Sequence, residues 1–220
     1  MPPEPGPPQA LPMPPRIQRL RRDPSRNLPV PWFATWLDGR PEFRYVTDGR
    51  MAQATVRGLC WTCGQPMGRN RAFVIGPMCA INRVSSDPPS HRDCALYSTV
   101  ACPFLANPRS VRRTSGLRSE VADQLRAPAG IMIRRNPGVA LVWVTKRYEV
   151  EIHPEGPLFR LGDPEETQWI AERRPATRDE VMASIDSGYP QLLEVAEAES
   201  PAAVLALEEM RAAAMRWVPV

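Results

Sequence analysis

Cys60-Trp-Thr-Cys63-Gly64, followed further along by His91-Arg-Asp-Cys94, sets two pairs of metal-binding side chains at spacings suited to one tetrahedral ion. The first pair lets two thiolates converge from a tight turn, with Gly64 free to adopt the conformation that aims backbone amides at the sulfurs. In the second, Ser90 and Asp93 have the spacing of a capping box. That would place His91 and Cys94 on one face of a first helical turn, where the positive end of the helix dipole favours a thiolate. The chain has five cysteines and two histidines, and all five cysteines with one histidine fall between positions 60 and 102. An odd count in a chain that reads as cytosolic argues for a metal rather than a disulfide framework. We therefore expect Zn2+ on Cys60, Cys63, His91 and Cys94, a closed N/S set that leaves no position for water and so suits a structural rather than a catalytic ion. Cys79 and Cys102 are expected to pack in the core, because eight residues of helix would carry Cys102 about 12 Å from Cys94.

Between the two pairs, Ala72-Phe-Val-Ile75 and Met78-Cys-Ala-Ile81 flank Gly76-Pro77 and suggest a β-hairpin, and Pro88-Pro89 blocks a helix before Ser90. The order of knuckle, hairpin and helix resembles a treble-clef zinc finger over about forty residues. Pro29-Val-Pro-Trp-Phe33, Phe73-Val-Ile-Gly-Pro-Met-Cys79 and Ala101-Cys-Pro-Phe-Leu105 are further similar to an uncharacterised family of bacterial and bacteriophage proteins. The resemblance implies a fold and no activity, since treble clefs serve nucleases, ribosomal proteins and protein-interaction modules alike. The His-Asn-His arrangement of treble-clef nucleases is missing, its only available histidine being spent on the metal.

Upstream, residues 1–30 carry Arg16, Arg19, Arg21, Arg22 and Arg26, and 11 of the 27 prolines lie within the first 31 positions. So little apolar surface predicts a disordered Pro/Arg-rich tail, either solvated or docking on phosphates or an acidic partner. Order is expected from Trp32, Phe33, Trp36 and Leu37, with Asp38-Gly39 turning into Phe43–Val46 as a hairpin. Asp48 then reads as the N-cap of a short helix through Met51 and Val56, stopped by Gly58.

Downstream, Ile131–Ile133 and Val139–Val144 flank the turn residues Asn136-Pro137-Gly138, and Tyr148, Val150 and Ile152 alternate with Glu149, Glu151 and His153. This predicts an antiparallel meander with Val139–Val144 central and Leu158–Leu161 closing it. Helix starts are read at Asp163-Pro164, at the capping box Thr177-x-x-Glu180 and at Ser200-Pro201, with Gly188 ending the middle helix. Leu207, Met210, Ala214 and Trp217 form a stripe that would pack on Leu192, Leu193 and Val195. The expected fold is α+β: a disordered tail (1–30), a zinc-stabilised treble-clef domain (31–127), and a small antiparallel sheet with a C-terminal helical hairpin (128–220).

Residues 1–135 hold 20 arginines against nine acidic residues, net +11, whereas residues 136–220 are net −7. Arg109, Arg112, Arg113 and Arg118, interleaved with Ser110, Thr114 and Ser115, form the candidate nucleic-acid-binding segment, with Arg83 and Arg92 extending a basic rim. No apolar run approaches the roughly 18 residues of a membrane span, and the start of the chain lacks a signal-peptide plan, so a soluble cytoplasmic protein is expected. Phosphate-loop, Gly-x-Ser-x-Gly and His-Glu-x-x-His patterns are absent. His153, Glu149 and Glu151 share a strand face, as an exposed edge does without chemistry. The reading is a zinc-stabilised binding protein rather than an enzyme: a nucleic-acid-binding accessory factor of a bacterium or phage, or else a protein-interaction or structural adaptor.

Overall fold

The computed structural model describes residues 11–47, 49–112 and 135–220. Its fold is mixed α and β, with small antiparallel sheets and C-terminal helices. The apolar run at Val139–Val144 requires cover on both faces, and β5 (Ala140–Thr145) is buried at every position between β3 (Arg71–Ile75) and β8 (Pro164–Ala171). Phe73 lies opposite Trp143 in that ladder, and Val142 opposite Gln168. The short β9 (Arg174–Pro175) closes the far edge.

The single meander divides in two. Thr145 donates its hydroxyl proton to the carbonyls of Arg147 and Asp163, which turns the chain out of β5. The next strands, β6 (Tyr148–His153) and β7 (Gly156–Leu161), then join β4 (Val84–Ser85) in a separate sheet of order β4-β7-β6. Tyr148 packs on Phe73 and Phe159, while Ile152 at the outer end of β6 is 78% exposed. Because β3 pairs with β5 and β4 with β7, both larger sheets cross the expected division between residues 31–127 and 128–220.

Asp163-Pro164 begins strand β8, not a helix. The open edge of β5 accepts the segment, and buried Trp169, Ile170 and Ala171 outweigh a local start signal. Pro164 is tolerated as the first residue of the strand. The expected hairpin at Gly76-Pro77 is likewise a strand followed by a helix. Pro77 occupies the first position of α3 (Pro77–Asn82), where its fixed φ is already helical, and buries Met78, Ala80 and Ile81.

The N-terminal region corrects the expectation of a disordered tail from residue 11 onward. Helix α1 (Pro15–Gln18) buries Ile17, which is 1% exposed, and Arg22 and Pro29 bridge across a turn that carries Val30 into the interior. The hairpin β1 (Ala34–Leu37) and β2 (Arg40–Val46) follows as predicted, with Asp38 and Gly39 both at positive φ in the turn. Helix α2 (Arg50–Arg57) ends at Gly58 as predicted, while its N-cap is Gly49; Asp48 lies outside the described residues, as does Ile131–Ile133.

At the C-terminus, Thr177 and Glu180 form the predicted reciprocal cap of α5 (Arg178–Glu199), and Ser200 caps α6 (Pro201–Ala214). A 3-10 turn follows at Met215–Trp217. Gly188 does not stop α5, which continues through Pro190. Its role is close approach: a Cβ there would come within 3.0 Å of the Met78 sulfur. Leu207 and Ala214 are buried in the same core, whereas Met210 and Val195 are partly exposed.

Candidate metal centre

The knuckle is built by backbone. Cys60 N–H donates to the Gln65 carbonyl and Gly64 N–H to the Cys60 carbonyl, while Leu59 and Pro66 bridge at the mouth of the turn. Gly64 sits at φ +71° with its Cα against the Trp32 indole, and Phe33 stacks on Trp61 at 4.8 Å. The second pair is aligned on the first by three links. Ser90 exchanges both backbone hydrogen bonds with Ala72 at the start of β3, Trp61 N–H donates to the Pro89 carbonyl, and Thr62 N–H donates to the Ser90 hydroxyl.

Ser90 is therefore not the helix cap that its spacing suggested. Its hydroxyl is used by the knuckle, and the N-cap of α4 (Arg92–Ala101) is His91, with Cys94 still in the first turn. Sulfur and nitrogen atoms of Cys60, Cys63, His91 and Cys94 lie within 4.8 Å of one another. Cys60 and Cys94 are fully buried and Cys63 nearly so. His91 turns Nδ1 toward the sulfurs, 3.4 Å from Cys63 Sγ, and donates Nε2–H to the Pro66 carbonyl at 3.1 Å. That outer bond fixes the tautomer and leaves the Nδ1 lone pair for a metal. Cys63 N–H and His91 N–H both point at Cys60 Sγ, at 3.4 and 3.3 Å.

Hydrogen bonds from the Cys63 and Cys94 side chains, with those two backbone amides, hold the Cys60 thiol far below the usual range. The same contact with Cys60 pushes Cys63 up to about 11, and Cys94 is raised by Cys60, by Cys63 and by burial. Three thiols converging on one buried point ionise together only around a cation, so this donor set fits a metal ion.

The sequence did not reveal what covers the centre. Ile17 of α1 belongs to the same buried cluster as Cys60, Cys63 and Cys94, and Arg16 Nη1 reaches Asp93 Oδ1 at 2.7 Å. A proline at the first position of α1 was the available signal. Cys79 and Cys102 stand outside the cluster, on α3 and at the C-cap of α4. Arg83 and Arg92 are engaged by Asp163 and Glu166. Arg112 lies over the Phe104 ring at 5.4 Å, Arg109 is exposed, and Arg113 and Arg118 fall outside the described residues. His153 and Glu151 form an exposed pair on β6. Among the described residues no helix is long and apolar enough to cross a membrane. No family model, curated protein or solved structure matches the chain.

Proposed function

We propose that this chain is a zinc-stabilised protein that binds nucleic acid through the phosphate backbone, as an accessory factor and not as an enzyme. Zinc is the ion that three thiolates and one imidazole suit in tetrahedral geometry, and a closed set of four supplies structure rather than a reactive water. One observation supports the polyanion reading above the others. Among the described residues, every ion pair of a C-terminal acidic group consumes a cation from position 83 or later, and no carboxylate lies within ion-pair distance of Arg19, Arg21, Arg22, Arg26, Arg50, Arg57 or Arg69. Apart from Arg16, which pairs with Asp93, and Arg26, which lies near Asp23, the N-terminal arginines named here thus keep their charge for an external partner.

The test is titration of labelled DNA at low and moderate salt with zinc-loaded protein. Neutralising five or six phosphates should cost roughly a thousandfold in affinity between the two conditions. Absence of binding at low salt would favour the adaptor reading. That reading draws on Leu205, 62% exposed, and Val195, 43% exposed, on the acidic α5–α6 hairpin.

A further inference from the structure

Resting on the nucleic-acid reading, we infer that the ligand is single-stranded and lies on the face formed by the β1–β2 hairpin with the segment before it, where arginines and aromatic rings adjoin. Arg21 places its guanidinium 3.5 Å above the Trp36 ring, and Arg50 lies 4.1 Å from the centroid of Trp32. Trp32 and Trp36 are both half-buried. Beside them β2 leaves the ladder. Ala34 pairs with Val46 whereas Thr35 pairs with Glu42, so residues 43–45 have no partners in β1, and Phe43 stands 45% exposed.

An exposed phenyl ring and stacked guanidinium planes gain little from a duplex, which hides the faces of its bases and offers phosphates and groove edges. They gain from unstacked bases, which present a π-face to any aromatic or arginine plane while the backbone follows the surrounding charge. Arg40 and Arg57, exposed and without a carboxylate partner among the described residues, supply that charge on β2 and α2.

Two other surfaces suit a strand less well. The concavity of about 700 Å³ beside the metal centre is lined by Arg16, Arg69, Arg92 and Lys146, but three of these cations are matched by Asp93, Glu166 and Glu165. The α5–α6 hairpin is acidic and would repel a polyanion.

The experiment compares a labelled oligothymidine of about twenty nucleotides with a duplex of equal length, using zinc-loaded full-length protein. The single strand should bind at least about tenfold more tightly and should quench tryptophan emission. Phe43→Ala should weaken the single strand about five- to tenfold and leave the duplex unchanged, and Arg21→Gln, which also removes a charge, should weaken the single strand about five- to tenfold and the duplex by less. Phe43→Tyr should restore binding. Phe43 and Arg21 are exposed, and an unaltered melting temperature verifies that each variant folds. Equal affinity for the two probes, or full single-strand affinity in both variants, would overturn the single-strand assignment while the nucleic-acid reading stood. Failure of both probes to bind at low salt would overturn that reading and this inference with it.

Discussion

Gly64 and Trp32 are in direct contact: a Cβ placed on Gly64 would lie 2.5 Å from two ring atoms of the indole. Gly64→Ala therefore carries two penalties, the left-handed backbone strain of about 1–2 kcal/mol and an overpacking cost of about 1–3 kcal/mol. Gly39, at φ +75°, is also left-handed but has nothing within 4 Å of its Cβ position, so Gly39→Ala should show the strain alone. Denaturant unfolding of the two variants should separate them by about 2 kcal/mol, with weaker metal retention only for Gly64→Ala.

Purified protein should contain one zinc per chain, and chelation should lower its melting temperature sharply, since a structural zinc contributes on the order of 10 kcal/mol to folding in small modules. Cys63→Ser should lose the metal. Cys102→Ser, at the end of α4 and outside the cluster, should keep it. Equal metal content in the two variants, measured by elemental analysis, would contradict the four-ligand assignment.

Ile17 is buried in one cluster with three of the four candidate ligands, so Ile17→Ala should cost about 3 kcal/mol and speed metal loss to a competing chelator. Removal of residues 1–20 should have the same effect more strongly. An unchanged melting curve after that truncation would mean that α1 does not seal the centre.

Glu180 is held down to about 2 by the Arg174 guanidinium and by Thr177, whose backbone and hydroxyl both donate to its carboxylate. A depressed carboxyl contributes stability above its ordinary value of 4.5, and that contribution disappears as pH falls from there toward 2. Arg174 is almost wholly buried, whereas the Glu180 side chain is 31% exposed. Solvent screening trims the effect of Glu180→Gln to about 2 kcal/mol at neutral pH. The stability gap between wild type and variant should close as the solution is acidified, and a gap constant with pH would dismiss the ion pair as its cause.

Features written in local chemistry were legible in the sequence. The ligand spacing, the Asp38-Gly39 turn, the Gly58 stop, the Thr177–Glu180 box and the all-apolar run of β5 each need only neighbouring residues to be understood. What escaped depends on distant partners. Pro164 and Glu165 resemble a helix start until β5 presents an unpaired edge. Gly188 resembles a stop until Met78 occupies the space a side chain would need. Ser90 has cap spacing until Thr62 takes its hydroxyl. The segment around Ile17 looks too polar to fold because its one buried side chain is valuable only against the cysteine cluster.

The pairing of β3 with β5 also orders events during synthesis. All four ligands have left the ribosome once Cys94 and its following residues emerge, but Phe73 must wait for Trp143, seventy positions later, to be covered. The four-residue cluster is thus complete early, within the nascent chain, and the sheet closes late. In the interval the newly made knuckle holds an apolar strand edge with Phe73 and Ile75 uncovered, the kind of surface on which nascent chains aggregate.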